Sequence, residues 1–417
     1  MSNQTPAVSI VIPNYNHAQY LGDAIHSVLN QTYTDFEVIV VDDGSKDNSR
    51  EVIEQFGGKV RAIFQENQGL SAARNTGIRA TRGSLIGVLD ADDLYEPTFL
   101  ETLVGALQSN PEADGISCGY QFVDEKNQYL PQVENRSVPG DELYTALLDG
   151  NFFVPESIFV RRHCYDASGP FDESLRACED WDMWLRFTKK FRIIHSSQVL
   201  TRHRILRGSM STDPLRMLTN RLAVLTKHVG GEPAKSNNPD PMKRRAYGRA
   251  YLAGCVEYIQ FGDEGQAFKC FQKMANICPA LLTEIDTFYQ LGCGDQPKGF
   301  MGDLASLNVK RSSLPLLGMM KRLFDKAGAS KDIKGLEQTA YARAYYALGL
   351  LAYGTREFRE SRHFFARAVF ASPRLSLNGK LLGLWLKSTI HRGLLDRLKG
   401  IQKEHIALET KQNGRGA

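Results

Sequence analysis

Continuous runs of β-branched and aliphatic residues alternate with helical spacing through the first part of this chain, and that alternation limits the fold more than any other feature. The runs are Val8 to Ile12 (VSIVI), Phe36 to Val41 (FEVIVV), Val60 to Phe64 (VRAIF) and Leu85 to Leu89 (LIGVL). Between them come Leu21, Ile25, Val28 and Leu29 at helical spacing, then DGSKDNS with its turn and N-cap residues before REVIEQF. Leu70 to Ala80 reads as a further helix. Strands that are apolar throughout are buried on both faces, so this pattern predicts a largely parallel sheet covered by helices. Ligands of such sheets bind beyond the carboxyl ends of the strands.

Acidic residues cluster where that rule places a ligand. Asp42 and Asp43 end the second run, and Asp90, Asp92 and Asp93 follow the fourth in VLDADDLYEP. Three readings of the second cluster stand side by side. One aspartate caps the following helix; or the carboxylates hold Mg²⁺ or Mn²⁺, which take hard oxygen ligands together with substrate phosphate; or they form a general acid/base pair. A third cluster, Cys178 to Arg186 (CEDWDMWLR), puts Trp181, Trp184 and Leu185 on one helical face and Glu179 and Asp182 on another. It reads either as an amphipathic helix with an acidic first turn or as a carboxylate base beside aromatic platforms.

Several classes fall away. The net charge of +4, from 51 basic and 47 acidic residues, is too small to argue for nucleic acid. The cysteines, seven in all, include no C-x-x-C pair and predict a reduced cytosolic chain. His17, His26, His163 and His195 form no ligand-spaced pair. There is no G-x-G-x-x-G, no G-x-x-x-x-G-K-[ST] and no G-x-S-x-G, which removes the dinucleotide, P-loop and nucleophile-elbow readings. The polar MSNQTPA start reads as no signal peptide, and no stretch approaches the ~18 apolar residues of a membrane span. The expected location is the cytoplasm, or the inner face of the membrane as a peripheral protein.

The blocks VSIVIPNYN, FEVIVVDDGSKDNS, ENQGLSAARNTGI, VLDADD and CEDWDMWLR occur in that order. Together they resemble the family 2 glycosyltransferases over about Ala7 to Ser211. The resemblance implies a GT-A fold, an α/β Rossmann-like mixed sheet, and inverting transfer from a nucleotide-sugar, most often a UDP-sugar. It implies that Pro13, Asn14 and Tyr15 line the nucleoside pocket, and that Asp43 bonds the base with Asp42 beside it. Arg74 and Asn75 would lie near the nucleotide and donor sugar. Asp90 and Asp92 match the family's metal motif, with Asp92 as the direct ligand of Mn²⁺ or Mg²⁺. Asp180 matches the catalytic base, and Glu179 and Trp181 would shape the acceptor site. One stretch departs from the family pattern. In His203 to Ser211 (HRILRGSMS), Leu206 replaces the family's histidine and His203 its tyrosine, which leaves Arg204 and Arg207 to supply charge over the diphosphate. Acceptor specificity is expected in loops such as Gly140 to Ser157.

The expected domains are a catalytic domain over 1–229, a Gly/Pro/Asn-rich linker over 230–243, a helical domain over 244–375 and a basic amphipathic C-terminal helix over 376–417. Tyr345, Leu348, Gly349, Phe365, Ala368 and Pro373 fall at tetratricopeptide spacing. Tyr251, Ala267, Phe271 and Pro279 repeat it loosely, with Cys255 in place of the usual glycine. Such repeats bind a partner protein, mediate self-association or simply pack. The stripe Leu382, Leu386, Ile390, Leu394, Leu398 and Ile401 reads either as a helix capping that stack, the preferred reading, or as a peripheral membrane contact. The expected function is a metal-dependent glycosyltransferase acting on a hydroxyl of a glycan, lipid-linked or protein acceptor, in cell-envelope polysaccharide, lipid-linked glycan or protein glycosylation. The competing reading is a catalytically inactive nucleotide-sugar-binding scaffold that works through its helical repeats.

Overall fold

The structure is a computed structural model and describes residues 5–206, 208–233, 240–325, 330–374 and 383–384. Arg207, residues 234–239 of the Gly230 to Lys243 stretch and nearly all of the basic C-terminal segment lie outside the described residues. The chain divides into two compact units, Met1–Cys278 with Pro297–Asp303, and Pro279–Gln296 with Leu304–Ala417.

The first unit is built on one nine-stranded mixed sheet. Its strands are β1 Val8–Asn14, β2 Phe36–Asp42, β3 Arg61–Phe64, β4 Leu85–Val88, β5 Leu94–Tyr95, β6 Gly115–Val123, β7 Tyr129–Glu134, β8 Ile158–Arg161 and β9 Ile193–Arg204. The spatial order is β3-β2-β1-β4-β8-β6-β9-β5, with β7 added beside β6. The predicted parallel half is observed: β1 pairs in parallel with β2 and β4, and β2 with β3. β8 runs antiparallel to β4 and to β6, which makes the sheet mixed.

Burial explains why the apolar runs sit where they do. Val8, Ile10, Val11 and Ile12 of β1 are fully buried, as are Ile39, Val40 and Val41 of β2. Each such side chain contributes roughly 1.5–3 kcal/mol by leaving water. Helix Ala18–Leu29 closes one face with Leu21, Ala24, Ile25 and Val28, all fully buried. Helix Leu70–Ala80 matches its predicted limits and buries Ala72, Ala73 and Gly77. β3 differs from expectation: it is the edge strand and is mostly exposed. The register delivers the ligand edge. Asn14 pairs with Asp42 at the carboxyl ends of β1 and β2, and Asp90 to Asp93 follow β4 directly.

Helices Pro241–Phe261 and Glu264–Ile277 form a hairpin that groups with the first unit. The second unit is helical. Glu337–Gly354 and Phe358–Ala371 form a hairpin in which a Cβ on Gly349 would collide with the Phe365 ring. Only glycine lets the two helices approach there. Leu316, Met320, Leu348, Leu351 and Phe365 form its buried interior. All seven cysteines are free thiols. Among the described residues, no helix is long and apolar enough to cross a membrane.

Candidate active site

At the ends of β1 and β2 the acidic side chains are held by the protein. Asn14 Nδ2 donates to Asp42 Oδ2 (2.9 Å) and Ser45 Oγ (3.1 Å), while Asp42 Oδ1 accepts from the Ser45 N–H (3.0 Å). Asn14 Oδ1 is buried without a partner. Asp43 accepts from Gln65 Nε2 (2.7 Å) and from the N–H groups of Gln68 (3.0 Å) and Gly69 (2.8 Å). Gly69 can turn its N–H inward because its φ of +97° lies where glycine is favoured. Tyr15 is exposed.

Arg74 connects the two acidic clusters. Its guanidinium is 1% exposed and donates to both Asp90 oxygens (2.7 and 2.9 Å) and to Glu179 Oε1 (2.5 Å). Burial opposes its charge, and the two carboxylates overcome that and hold the proton more tightly than usual. A buried arginine forked between two segments fixes them by geometry as well as charge. Asn75 faces elsewhere. Its amide bonds the backbone N and O of Phe171 and the Glu173 carboxylate.

Asp92 differs from Asp90. Its carboxylate has no arginine partner among the described residues; His17 Nδ1 lies 3.9 Å away. Burial and then Asp93 push its carboxyl up to about 7. Asp93 is buried deeper and accepts from the Arg204 N–H (2.7 Å), with His203 Nδ1 3.1 Å from its other oxygen. His203 Nδ1 is also 2.9 Å from Glu156, which is fully buried. Asp93, Glu156 and His203 bring one ligand atom each within 4.8 Å of one another. Burial disfavours the imidazolium, but the two carboxylates outweigh it and raise His203 well above its ordinary value. An imidazole that holds its proton more tightly is a poorer metal ligand, which makes this triad the lesser fit to a cation. Asp92 is the better fit to a hard cation: a carboxylate facing the cavity, short of positive charge, with room for substrate oxygens.

Cys178 sits at φ +61°, a left-handed conformation unusual for a residue with a Cβ, and turns the chain into helix Glu179–Thr188. That helix is buried on both faces, unlike the amphipathic reading. Trp181 and Trp184 enter the core, and Trp181 Nε1 donates to the Leu147 carbonyl (2.8 Å). Asp182 is also fully buried, against Arg186, Lys227 and His228. Asp180 is half-buried and accepts from Asn151 Nδ2 (2.9 Å). Burial, reinforced by Glu179 and opposed by Arg74, pushes its carboxyl up to about 7.

Most of these groups meet in one cavity of about 810 Å³ within the first unit. Pro13, Asn14, Tyr15, Asp43, Arg74, Asp90, Asp92, Glu179, Asp180, Trp181 and Arg204 line it, whereas Asp42 and Asn75 do not. Arg204 is committed to backbone: it donates to the carbonyls of Asp92 (2.7 Å) and Glu125 (3.1 Å) and lies over the Tyr20 ring. From the Gly140 to Ser157 loop, Asn151, Phe153 and Val154 reach the cavity. Sequence reasoning missed His17, Asn151 and Lys298, which also line it. Asn151 sits inside the Gly140 to Ser157 loop already singled out and His17 directly follows the VSIVIPNYN block; nothing in the sequence marks Lys298.

Comparison with known proteins agrees with this geometry. A family model, Glycosyl transferase family 2, matches residues 9–166. An uncharacterized glycosyltransferase of Rickettsia prowazekii (strain Madrid E) is 34% identical over 224 residues, 51% of this chain and 69% of that protein. The chondroitin synthase of Escherichia coli is 30% identical over 208 residues, 49% of this chain and 30% of that one. The crystal structure of S. aureus TarS 1-349 in complex with UDP is similar with a TM-score of 0.48 at 15% identity, covering 85% of this chain and 91% of that one. With its ordered sequence blocks, a matching family model and a relative covered over most of its length, this chain belongs to glycosyl transferase family 2 and is a glycosyltransferase.

Proposed function

We propose that the cavity binds a nucleotide-sugar, with UDP as the nucleotide, and that Asp180 is the general base for inverting transfer of the sugar to an acceptor hydroxyl. The observation that carries this reading is the state of Asp180. It lines the same cavity as Asp92, it has no cation directly on it among the described residues, and its carboxyl is pushed up to about 7. A base works best when its pKa lies near the working pH.

The residues divide the work as follows. Pro13, Asn14 and Tyr15 receive the nucleoside, with the unpartnered Asn14 Oδ1 as an acceptor for it. Asp43 shapes that end through the N–H groups it already holds. Asp92 would hold a divalent cation, Mn²⁺ or Mg²⁺, which supplies electrostatic stabilisation of the diphosphate as it leaves. Asp180 accepts the proton of the acceptor hydroxyl while the hydroxyl oxygen bonds the anomeric carbon. The bond from that carbon to the diphosphate breaks, and the nucleoside diphosphate departs with the electron pair. Asn151 holds Asp180 by its Oδ2 and so orients the carboxylate in the cavity. Glu179 and Trp181 border the acceptor side. Arg74 is a positioning residue: it locks Asp90 and Glu179 together and so fixes the two catalytic segments.

The resemblance supports UDP over other nucleotides. The acceptor is a glycan, a lipid-linked sugar or a protein. Thermal unfolding with UDP, GDP, dTDP and CMP, each with and without Mn²⁺, tests the reading. A ligand at about 100 times its Kd adds about 2.7 kcal/mol to the folded state. UDP raising the midpoint only with Mn²⁺ is the expected result. No shift with any nucleotide would overturn the reading in favour of a protein acting through its helices.

A further inference from the structure

We propose that Lys298 binds the diphosphate of the donor, as a cation brought to the cavity by a distant segment of the chain. This rests on the reading above that the cavity holds a nucleoside diphosphate. Lys298 belongs to Pro297–Asp303, a short segment that groups with the first unit although the chain on both sides of it belongs to the second. Backbone contacts clip the segment beside β7. Gln132 N–H donates to the Gly299 carbonyl (2.9 Å), Gly299 N–H donates to Gln132 Oε1 (3.2 Å), and Leu130 lies against Gly299.

The clip leaves the Lys298 ammonium in the cavity with too little around it. Nζ donates to Ser211 Oγ (3.0 Å), a neutral hydroxyl, and it makes no ion pair among the described residues. Burial pushes it below the usual lysine range, while Glu257, Asp93, Asp180 and Glu156 act on it from beyond pairing distance. A desolvated ammonium without a counter-charge is costly. Of the other cations that line the cavity, Arg74 is held by Asp90 and Glu179 and Arg221 by Glu257, while Arg204 and Arg216 donate to backbone carbonyls. An anion entering between Asp92 and the Ser209–Ser211 turn would therefore find Lys298 ready to pair. A diphosphate supplies that charge, and lysine meets phosphate as a point charge.

A diphosphate carried by a lipid-linked acceptor has the same chemistry, so the test separates the two sources. In the full chain, Lys298→Met and Lys298→Arg are compared with wild type by calorimetric titration with UDP, GDP and dTDP, and with their nucleosides, in Mn²⁺. For the diphosphate that binds wild type, Lys298→Met should weaken binding by about 10- to 100-fold. Nucleoside binding should stay unchanged, and Lys298→Arg should remain within about 3-fold of wild type. Equal diphosphate binding by Lys298→Met and wild type overturns the proposal, and a rise confined to the acceptor KM assigns the charge to the acceptor instead. Parallel loss of nucleoside binding would mark a collapsed cavity and also overturn it. Wild type binding no nucleoside diphosphate would overturn the donor reading itself, a distinct outcome. Unfolding midpoints without ligand check each fold, and Lys298→Gln replaces Lys298→Met if the latter is unfolded.

Discussion

Asp180 and Asp182 stand on the first turn of one helix, yet their surroundings are opposed. Asp182 is fully buried and meets Arg186 (2.9 Å), Lys227 (3.0 Å) and His228 (2.9 Å). Burial disfavours its charge, but those partners win and lower its pKa. Asp180 has only neutral partners, the Asn151 amide and the Trp181 backbone N–H, and burial raises it to about 7. The sheet edge repeats the contrast at the same spacing. Asp90 is forked by Arg74, whereas Asp92 is raised to about 7. In each segment the paired carboxylate holds elements together, and the unpaired one faces the cavity with reactivity left over. Satisfied charge is structural; unsatisfied charge is where a cation or a proton has work to do.

The contrast breaks most clearly through Asp180→Asn. An amide keeps the shape but cannot accept the proton, so transfer should fall by about 10³-fold or more, while nucleotide binding measured by calorimetry stays within a few-fold. Wild-type kcat/KM should also rise about tenfold per pH unit up to about pH 7 and level off above it, because the base must be ionised. Near wild-type transfer by the variant would remove Asp180 from the chemistry. Asp182→Asn should do the reverse: nucleotide affinity persists, and the fold loses about 2–4 kcal/mol because a buried network loses its central charge. Denaturant titration reads that loss. An unchanged midpoint would mean that the Arg186, Lys227 and His228 contacts are incidental.

Asp92→Ala comes next in size. Nucleotide affinity should drop about 30- to 100-fold in Mn²⁺ and match the wild-type value in EDTA, since the variant removes the cation's hold and leaves the nucleoside end intact. Retained Mn²⁺ dependence would move the cation elsewhere, with the Asp93, Glu156 and His203 group as the first place to look.

The same contrast explains what could be seen in the sequence. The parallel half of the sheet was legible because burial on both faces demands apolar runs, and VSIVI, FEVIVV and LIGVL are such runs. β9, with the sequence IIHSSQVLTRHR, was not, because it is half exposed and carries polar residues along most of its length. The acidic clusters were legible as clusters, and the resemblance picked out Asp92 and Asp180 within them. Spacing alone could not say that Asp182 is paired or that Arg74 bridges Asp90 and Glu179, since those partners come from distant segments. Lys298 shows the limit most plainly: 118 positions separate it from Asp180, and only folding brings both to one cavity.

The smallest effect is a stability change whose sign depends on pH. Asp180 has a raised native pKa, so between its unfolded value near 3.8 and about 7 the folded protein holds a proton that the unfolded chain has released. Its ionisation therefore costs the fold stability as pH rises through that window. Asp180→Asn has no charge to bury, so it should be more stable than wild type at pH 8, on the order of 1–2 kcal/mol given its partial exposure. That advantage should vanish near pH 4, where wild type is protonated too. Asp182, with its lowered pKa, behaves in the opposite way: its contribution is present above the unfolded value and is lost as pH falls through the folded one. From pH 4 to pH 8 the Asp180→Asn midpoint should thus rise steadily relative to wild type, while the Asp182→Asn deficit stays nearly constant and shrinks only below about pH 4. If both variants lost stability in parallel across that range, Asp180 would be a structural carboxylate like its neighbour, and the distinction drawn between them would fail.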